Sequence, residues 1–346
     1  FLLAVPVMLL LLLVGPVLLP EYRDPASRPL DLLSAVLSLC AVLAAIYGMK
    51  RIAQDGLGGL AVLSILAGSG FGLVFIRRQR RLPDPLIDLS LFRVPVFGAS
   101  LATYMIGTMV AFGSYIFIGQ YLQLVLGLSP LQAGLWTLPW SAGFIAGSMA
   151  TAAIVRRVGL SSVMGAGLAL AAVGFAVTSR VGDLQLGGLV VGSLLTSFGL
   201  AQVFTLATDL IVGSVPPEKS GVASAISETS SELGGALGIA ILGSFGATIY
   251  RRAMADGAIA ALSPDGWRSE ATLGGAVAAS RQLPELAGEQ LLNAARAAFT
   301  SALQTTVGLC AVLSLATAIM VILVLRSSQP TAPTPQREVD EEGAPT

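Results

Sequence analysis

Histidine is absent from this 346-residue chain, cysteine occurs only twice, and charged residues make up 12% of it. Without histidine the chain lacks the commonest metal ligand and the side chain that titrates near neutral pH, so any proton chemistry falls to carboxylates. Cys40 and Cys310 both lie inside apolar runs. They read as packing residues, not as a disulfide framework or a thiolate metal site. A soluble domain carries about 25% charge, well above the value here. Twenty Lys and Arg balance twenty Asp and Glu, so no net charge points to nucleic acid or to an acidic partner. There is no phosphate-cradling Gly-Lys-Ser/Thr stretch, which counts against ATP drive. There is also no Ser/Lys nucleophile pair or metal site that would support an enzyme. Neither a cofactor nor a metal is expected.

Long apolar runs are present instead, and 54% of the residues are hydrophobic. Nine segments come near the roughly 20 residues needed to cross a bilayer. They lie at about 1–19, 31–49, 58–76, 96–119, 132–154, 159–179, 187–212, 219–249 and 301–325. The expected fold class is therefore an all-α polytopic membrane protein with about nine transmembrane helices. Phe1 stands inside the first apolar run, which has no charged region before it and no small-residue cleavage site after it. Residues 1–19 read as a truncated transmembrane helix and the chain as a fragment.

Lys and Arg in the short loops set the orientation. One set of loops holds Arg23 and Arg28, then Arg77, Arg78, Arg80, Arg81 and Arg93, then Arg156 and Arg157, Lys219 and Arg326. The opposite set holds only Lys50, Arg51 and Arg180. The first set is expected inside. The stretch at about 250–300 then falls outside, with a turn at residues 263–267 and an amphipathic helix at 284–304. That helix reads either as a lid or as a surface helix. Residues 327–346, rich in Pro, Thr and Glu, read as a disordered tail. Glycines at helical spacing, Gly234/Gly238, Gly235/Gly243, Gly143/Gly147 and Gly165 with Gly167, mark faces for close helix approach.

Residues 220–246 (SGVASAISETSSELGGALGIAILGSFG) hold the chemically distinctive feature of the chain. Glu228 and Glu232 are four residues apart and share one helix face. Measured from Lys219 they sit roughly 13 and 20 Å into the span, within a hydrocarbon core of about 30 Å. An ionisable side chain there is costly and marks a functional candidate. The alternative is structural glue to a Ser, Thr or Gln of a neighbouring helix.

Three stretches carry a family resemblance. Residues 120–134 (QYLQLVLGLSPLQAG) lead into Leu138 and Pro139. Residues 83–93 (PDPLIDLSLFR) precede the fourth span. Residues 213–225 (GSVPPEKSGVASA) run into Glu228 and Glu232 and then into residues 233–238 (LGGALG). Together they resemble the 14-helix drug:proton antiporters of the major facilitator superfamily, the QacA/EmrB/SmvA-like group. The resemblance implies a partial major facilitator fold. Residues 1–19 would end the N-terminal half, and 20–95 would be a linker with two extra transmembrane helices. Residues 96–326 would be the C-terminal six-helix half, built of two inverted three-helix repeats, followed by the tail at 327–346. The missing N-terminal half of the same chain would be its partner, together with membrane lipid. The localisation implied is a bacterial cytoplasmic (inner) membrane.

The resemblance further implies secondary transport driven by a proton gradient, with an organic cation as substrate. Glu228 and Glu232 would bind the cation or the proton. Tyr115, Trp136, Trp140 and Phe144 would line the cavity, since aromatic faces attract cations; for each one, ordinary packing is the alternative. Some members of the resembled family that handle dications carry an acid where Phe144 stands, and its absence argues against a strong dication preference. Asp84, Asp88 and Arg93 read as an interfacial ion pair or cap. A permease for a metabolite or siderophore, a membrane sensor and an intramembrane enzyme remain as competing readings.

Overall fold

A computed structural model describes residues 4–18, 31–55, 58–83, 85–255 and 272–327. The described residues are helical throughout, apart from turns. The helices are α1 (Ala4–Leu18), α2 (Leu32–Asp55), α3 (Gly59–Gln79), α4 (Pro95–Gln120), α5 (Pro130–Val158), α6 (Leu160–Thr178), α7 (Val181–Gly213), α8 (Ser220–Leu237), α9 (Gly243–Ala255), α10 (Leu273–Ser280) and α11 (Glu285–Ser327). Helices alone satisfy their own backbone in lipid, and this is the reason apolar runs of this length adopt them. Among the described residues, eight helical spans are long and apolar enough to cross a membrane, and Val5–Gly15 is a shorter apolar helix. This is a multi-pass membrane protein. The 263–267 turn and the tail beyond 327 lie outside the described residues.

Helix ends carry local signals. Pro95 opens α4, and Ser129 caps α5 in a reciprocal box with Gln132 ahead of Pro130. Gly159 (φ 82°) makes the sharp turn between α5 and α6, a backbone conformation suited to glycine. Two π turns interrupt long spans: Tyr121–Val125 ends α4, and Gly238–Leu242 joins α8 to α9. The second one shifts the helix face. Gly235 lies against the Phe112 ring, but Gly243 has nothing near it, so the expected Gly235/Gly243 face does not form.

Six spans pack into one bundle. α4 lies on α8, and α7 lies on α5. α6 lies on α7, and α11 lies on α4. α6 also meets α11, and α4 meets α7. Exchanging α4, α5 and α6 for α7, α8–α9 and α11 maps this set of contacts onto itself. The glycine pairs follow the same exchange. A Cβ on Gly234 of α8, or on Gly238 at the start of the π turn after it, would strike the Met105 or Met109 carbonyl of α4. A Cβ on Gly143 or Gly147 of α5 would strike the Leu194 or Phe198 carbonyl of α7. Small residues let these backbones approach where lipid supplies no hydrophobic drive for association.

α11 is 43 residues long, about 64 Å at about 1.5 Å per residue and roughly twice the hydrocarbon thickness. Its first half is neither a bare surface helix nor a detached lid. Leu291, Ala295, Ala298 and Phe299 share a buried cluster with Leu273 and Ala276 of α10, Tyr250 and Met254 of α9, and Leu122. Arg296 Nε donates to the Leu124 carbonyl at 3.3 Å, fastening this half to the π turn that ends α4.

α2 and α3 form a hairpin that touches α9 and the π turn before it. At its charged end, Arg78 donates to both Asp31 oxygens, at 3.1 and 3.0 Å. The guanidinium and the Ser34 hydroxyl hold the Asp31 carboxyl down at about 2.

Candidate functional site

α8 turns two faces to different surroundings. Ala223, Ile226, Ser227, Ser230 and Gly234 are buried against the bundle, whereas Glu228 and Glu232 are exposed on the opposite stripe, as is Ile239 beyond them. At about 1.5 Å per residue the two carboxylates stand roughly 12 and 18 Å from Ser220, within the first third of an apolar helical span that runs on to Ala255. No hydrogen bond or ion pair to another described residue reaches either one. Among the described residues, neither carboxylate is hydrogen-bonded to a Ser, Thr or Gln of a neighbouring helix. Ser227 and Ser230 of the same helix are buried on the other side, and the exposed Thr229 beside Glu228 donates its hydroxyl to the Ala225 carbonyl.

The aromatic candidates separate into two groups. Phe144 of α5 lies 6.1 Å, ring to ring, from Phe204 of α7. Tyr104 of α4 meets Phe204 edge-on at 5.3 Å. Trp140 packs beside Phe204 against Ala111, Ala171 and Leu200. Four aromatic rings thus gather where α4, α5 and α7 meet. Counted from the Pro95 end of α4 and the Gly213 end of α7, Tyr104 and Phe204 lie about 14 Å deep, and counted from the Val158 end of α5, Phe144 lies about 21 Å deep. They share the level of Glu228 and Glu232. Tyr115 and Trp136 are different: they are 55% and 36% exposed and sit one or more turns nearer the opposite end. The structure does not bring them to the cluster.

Phe204 and Tyr104 were not among the residues singled out from the sequence. Phe204 is one apolar residue in an apolar span, and only the folded contact with Gly107, where a Cβ would meet its ring at 2.6 Å, distinguishes it. Among the described residues no group of three or more His, Cys, Asp or Glu could hold a metal.

The segment before α4 also reaches the acid-bearing helix. Asp88 caps its own turn by accepting from the Ser90 backbone N–H at 2.9 Å. Its other oxygen accepts from Lys219 Nζ at 2.6 Å, at the threshold of α8. Lys219 first, then Ser90, hold the Asp88 carboxyl down at about 2. The expected interfacial ion pair is thus formed by Asp88, with a partner 131 residues away; Asp84 lies outside the described residues.

Comparison with known proteins gives one family match. The model of the Major Facilitator Superfamily matches residues 1–239. The chain is 38% identical to the multidrug efflux pump LfrA of Mycolicibacterium smegmatis, over 94% of this chain and 65% of that protein. It is 34% identical to the methyl viologen resistance protein SmvA of Salmonella typhimurium, over 86% of this chain and 61% of that protein. It is 30% identical to the tetracenomycin C resistance and export protein of Streptomyces glaucescens, over 70% of this chain and 46% of that protein. The chain spans less than two thirds of the length of these relatives.

Proposed function

Because the chain belongs to the major facilitator superfamily, we propose that it forms the C-terminal part of a proton-coupled exporter of lipophilic organic cations. One observation carries this reading: two carboxylates without a partner among the described residues, on a single exposed stripe of α8 roughly 12 and 18 Å from its start. An ionised carboxylate at that depth is costly until something neutralises it. A proton and a lipophilic cation can each do so, and they exclude one another. That competition is what couples export of one to import of the other. The ring cluster of Tyr104, Phe144 and Phe204 lies at the same level and offers the flat apolar faces that cations favour.

In this reading residues 96–326 are the C-terminal half and α2–α3 are the extra hairpin. The acid stripe faces a central cavity whose other wall is an N-terminal half. The relatives named for multidrug efflux and methyl viologen resistance support export. The tetracenomycin relative shows that names within this group differ in substrate, so the cation class rests on the two carboxylates. The bacterial inner membrane and the dependence on a proton gradient belong to the same proposal.

The test is efflux of ethidium and of methyl viologen from cells carrying the full-length parent, repeated with Glu228→Gln and Glu232→Gln. At least one neutral variant is expected to lose export of the cations and the accompanying proton movement. Unchanged export and coupling in both variants would sink the assignment of the pair. A full-length parent that exports no cation but moves a neutral or anionic solute makes it a permease of another class.

A further inference from the structure

The charged end of the α2–α3 hairpin holds a groove lined by residues outside the acid-bearing helix and the ring cluster. It has a volume of about 450 Å³ and is lined by Leu33, Leu37, Val74, Arg77, Arg78, Arg81 and Leu82. Among the described residues, no carboxylate fully neutralises its basic side. Arg78 is committed to Asp31, but Arg77 and Arg81 are exposed, and no carboxylate among the described residues pairs with either. Two net positive charges therefore face the groove. The other side is apolar and open: Leu33 and Val74 are 54% and 51% exposed. These leucines and valine belong to the ends of membrane spans, and the arginines lie at their junction with the loop.

We propose that this groove binds the headgroup and upper acyl chain of an anionic phospholipid of the inner leaflet. A guanidinium presents a planar fork of donors that matches phosphate oxygens. Arg77 and Arg81 would hold the phosphodiester, and Arg78 is fixed beside them by Asp31. Leu33, Leu37 and Val74 then lie along the first methylenes of the chain. A soluble phosphate would use the arginines and leave the apolar wall in contact with water. A zwitterionic lipid would use the wall and leave two charges unmatched. Only an anionic lipid satisfies both sides. The Lys and Arg distribution places this end on the cytoplasmic side, where anionic headgroups meet basic pockets between transmembrane helices. The inference requires only that the chain spans a membrane, so it stands or falls apart from the cation-export reading.

The test is native mass spectrometry of the detergent-purified chain, titrated with phosphatidylglycerol or with phosphatidylcholine of the same acyl chains. Two arginines near an anionic lipid correspond to a preference of about thirtyfold for phosphatidylglycerol. Arg77→Gln with Arg81→Gln is expected to remove that preference. Leu82→Glu, which puts a carboxylate into the groove and keeps both arginines, is expected to remove it too. Arg156→Gln with Arg157→Gln, a change of equal charge at another basic loop, is expected to retain it. Equal binding of the two lipids by the unaltered chain overturns the proposal, as does a preference that survives both groove variants. So does a loss of equal size in the Arg156/Arg157 variant, which would make the effect one of overall charge. Displacement of the lipid by millimolar glycerol phosphate alone would make this a soluble-phosphate site and overturn it as well.

Discussion

Lys219 and Asp88 join the two entrances of the bundle: a 2.6 Å ion pair ties the link before α4 to the first turn of α8. Both side chains are partly exposed, at 48% and 27%, and such pairs contribute at most about 1 kcal/mol. The consequence lies in position more than in stability. Asp88→Asn or Lys219→Ala is expected to leave Tm within a few degrees while speeding hydrogen exchange across residues 217–222. The exchanged pair, Asp88→Lys with Lys219→Asp, is expected to restore slow exchange. Slow exchange in both single variants would show that the pair does not order this entrance.

The same pair sets an acid limit. The Asp88 carboxyl is lowered from its ordinary 3.8 to about 2 by its bonds to Lys219 and Ser90. A lowered folded-state value means that the contribution is complete above about pH 4 and is lost as pH falls through 2. Hydrogen exchange at residues 217–222 is therefore expected to be flat from neutral pH down to about 4 after correction for intrinsic chemistry, and to accelerate below that. Acceleration already between pH 7 and 5 would assign the entrance to another group.

Gln79 continues the connection toward the hairpin. It is 2% exposed; its amide donates to Ser34 Oγ at 2.7 Å and accepts from the Ile87 N–H at 3.1 Å. Gln79→Leu keeps the bulk and strands the Ile87 N–H, while Ser34 Oγ retains Asp31 and Arg78. Leaving buried polar groups unsatisfied costs about 1–3 kcal/mol each. A clear fall in Tm, larger than that for Asp88→Asn, is expected in the same detergent. An equal or smaller fall would mean that water replaces the amide.

The spans, the charge asymmetry and the carboxylate pair were all legible in the sequence, because lipid forces long apolar helices and makes every buried charge conspicuous. The contacts that position the site were not. Asp88 and Lys219 are 131 residues apart, and nothing in either neighbourhood specifies the other. Phe204 carries no mark in an apolar span until Tyr104 and Phe144 fold against it. Glycine spacing was a partial guide. It located the Gly234/Gly238 and Gly143/Gly147 contacts, and it misread Gly243 because a π turn breaks the 3.6-residue period on which spacing arguments rest.

The glycine contacts separate close packing from simple small size. At Gly238 an added Cβ meets the Met109 backbone, which has no rotamer with which to yield, whereas at Gly308 of α11 it meets nothing within 4 Å. Gly238→Ala is expected to destabilise the bundle by about 1–3 kcal/mol, read as a lower Tm and loss of monodisperse protein. Gly308→Ala is expected to be neutral or slightly stabilising, since alanine favours helix. Equal behaviour of the two variants would mean that α4 and α8 are free to move apart.

Phe144 offers a way to change the cation class without touching the acid pair. Its ring is half-buried against Phe204 at about the depth of Glu232. In the proposed cavity, Glu228 and Glu232 supply the negative charge from one wall only, which suits a monocation. Phe144→Asp adds a carboxylate on α5, a helix other than the one that carries the acid pair, and removes one ring face. A dication then meets charge on both sides, while a monocation loses a stacking surface and gains little. In the full-length parent the variant is expected to shift the ratio of methyl viologen to ethidium export upward by about tenfold, the equivalent of roughly 1.4 kcal/mol of differential binding. Phe144→Asn controls for the lost ring and is expected to reduce export of both cations without the shift. The same ratio in the Asp and Asn variants would place Phe144 outside the cation path and return it to packing between α5 and α7.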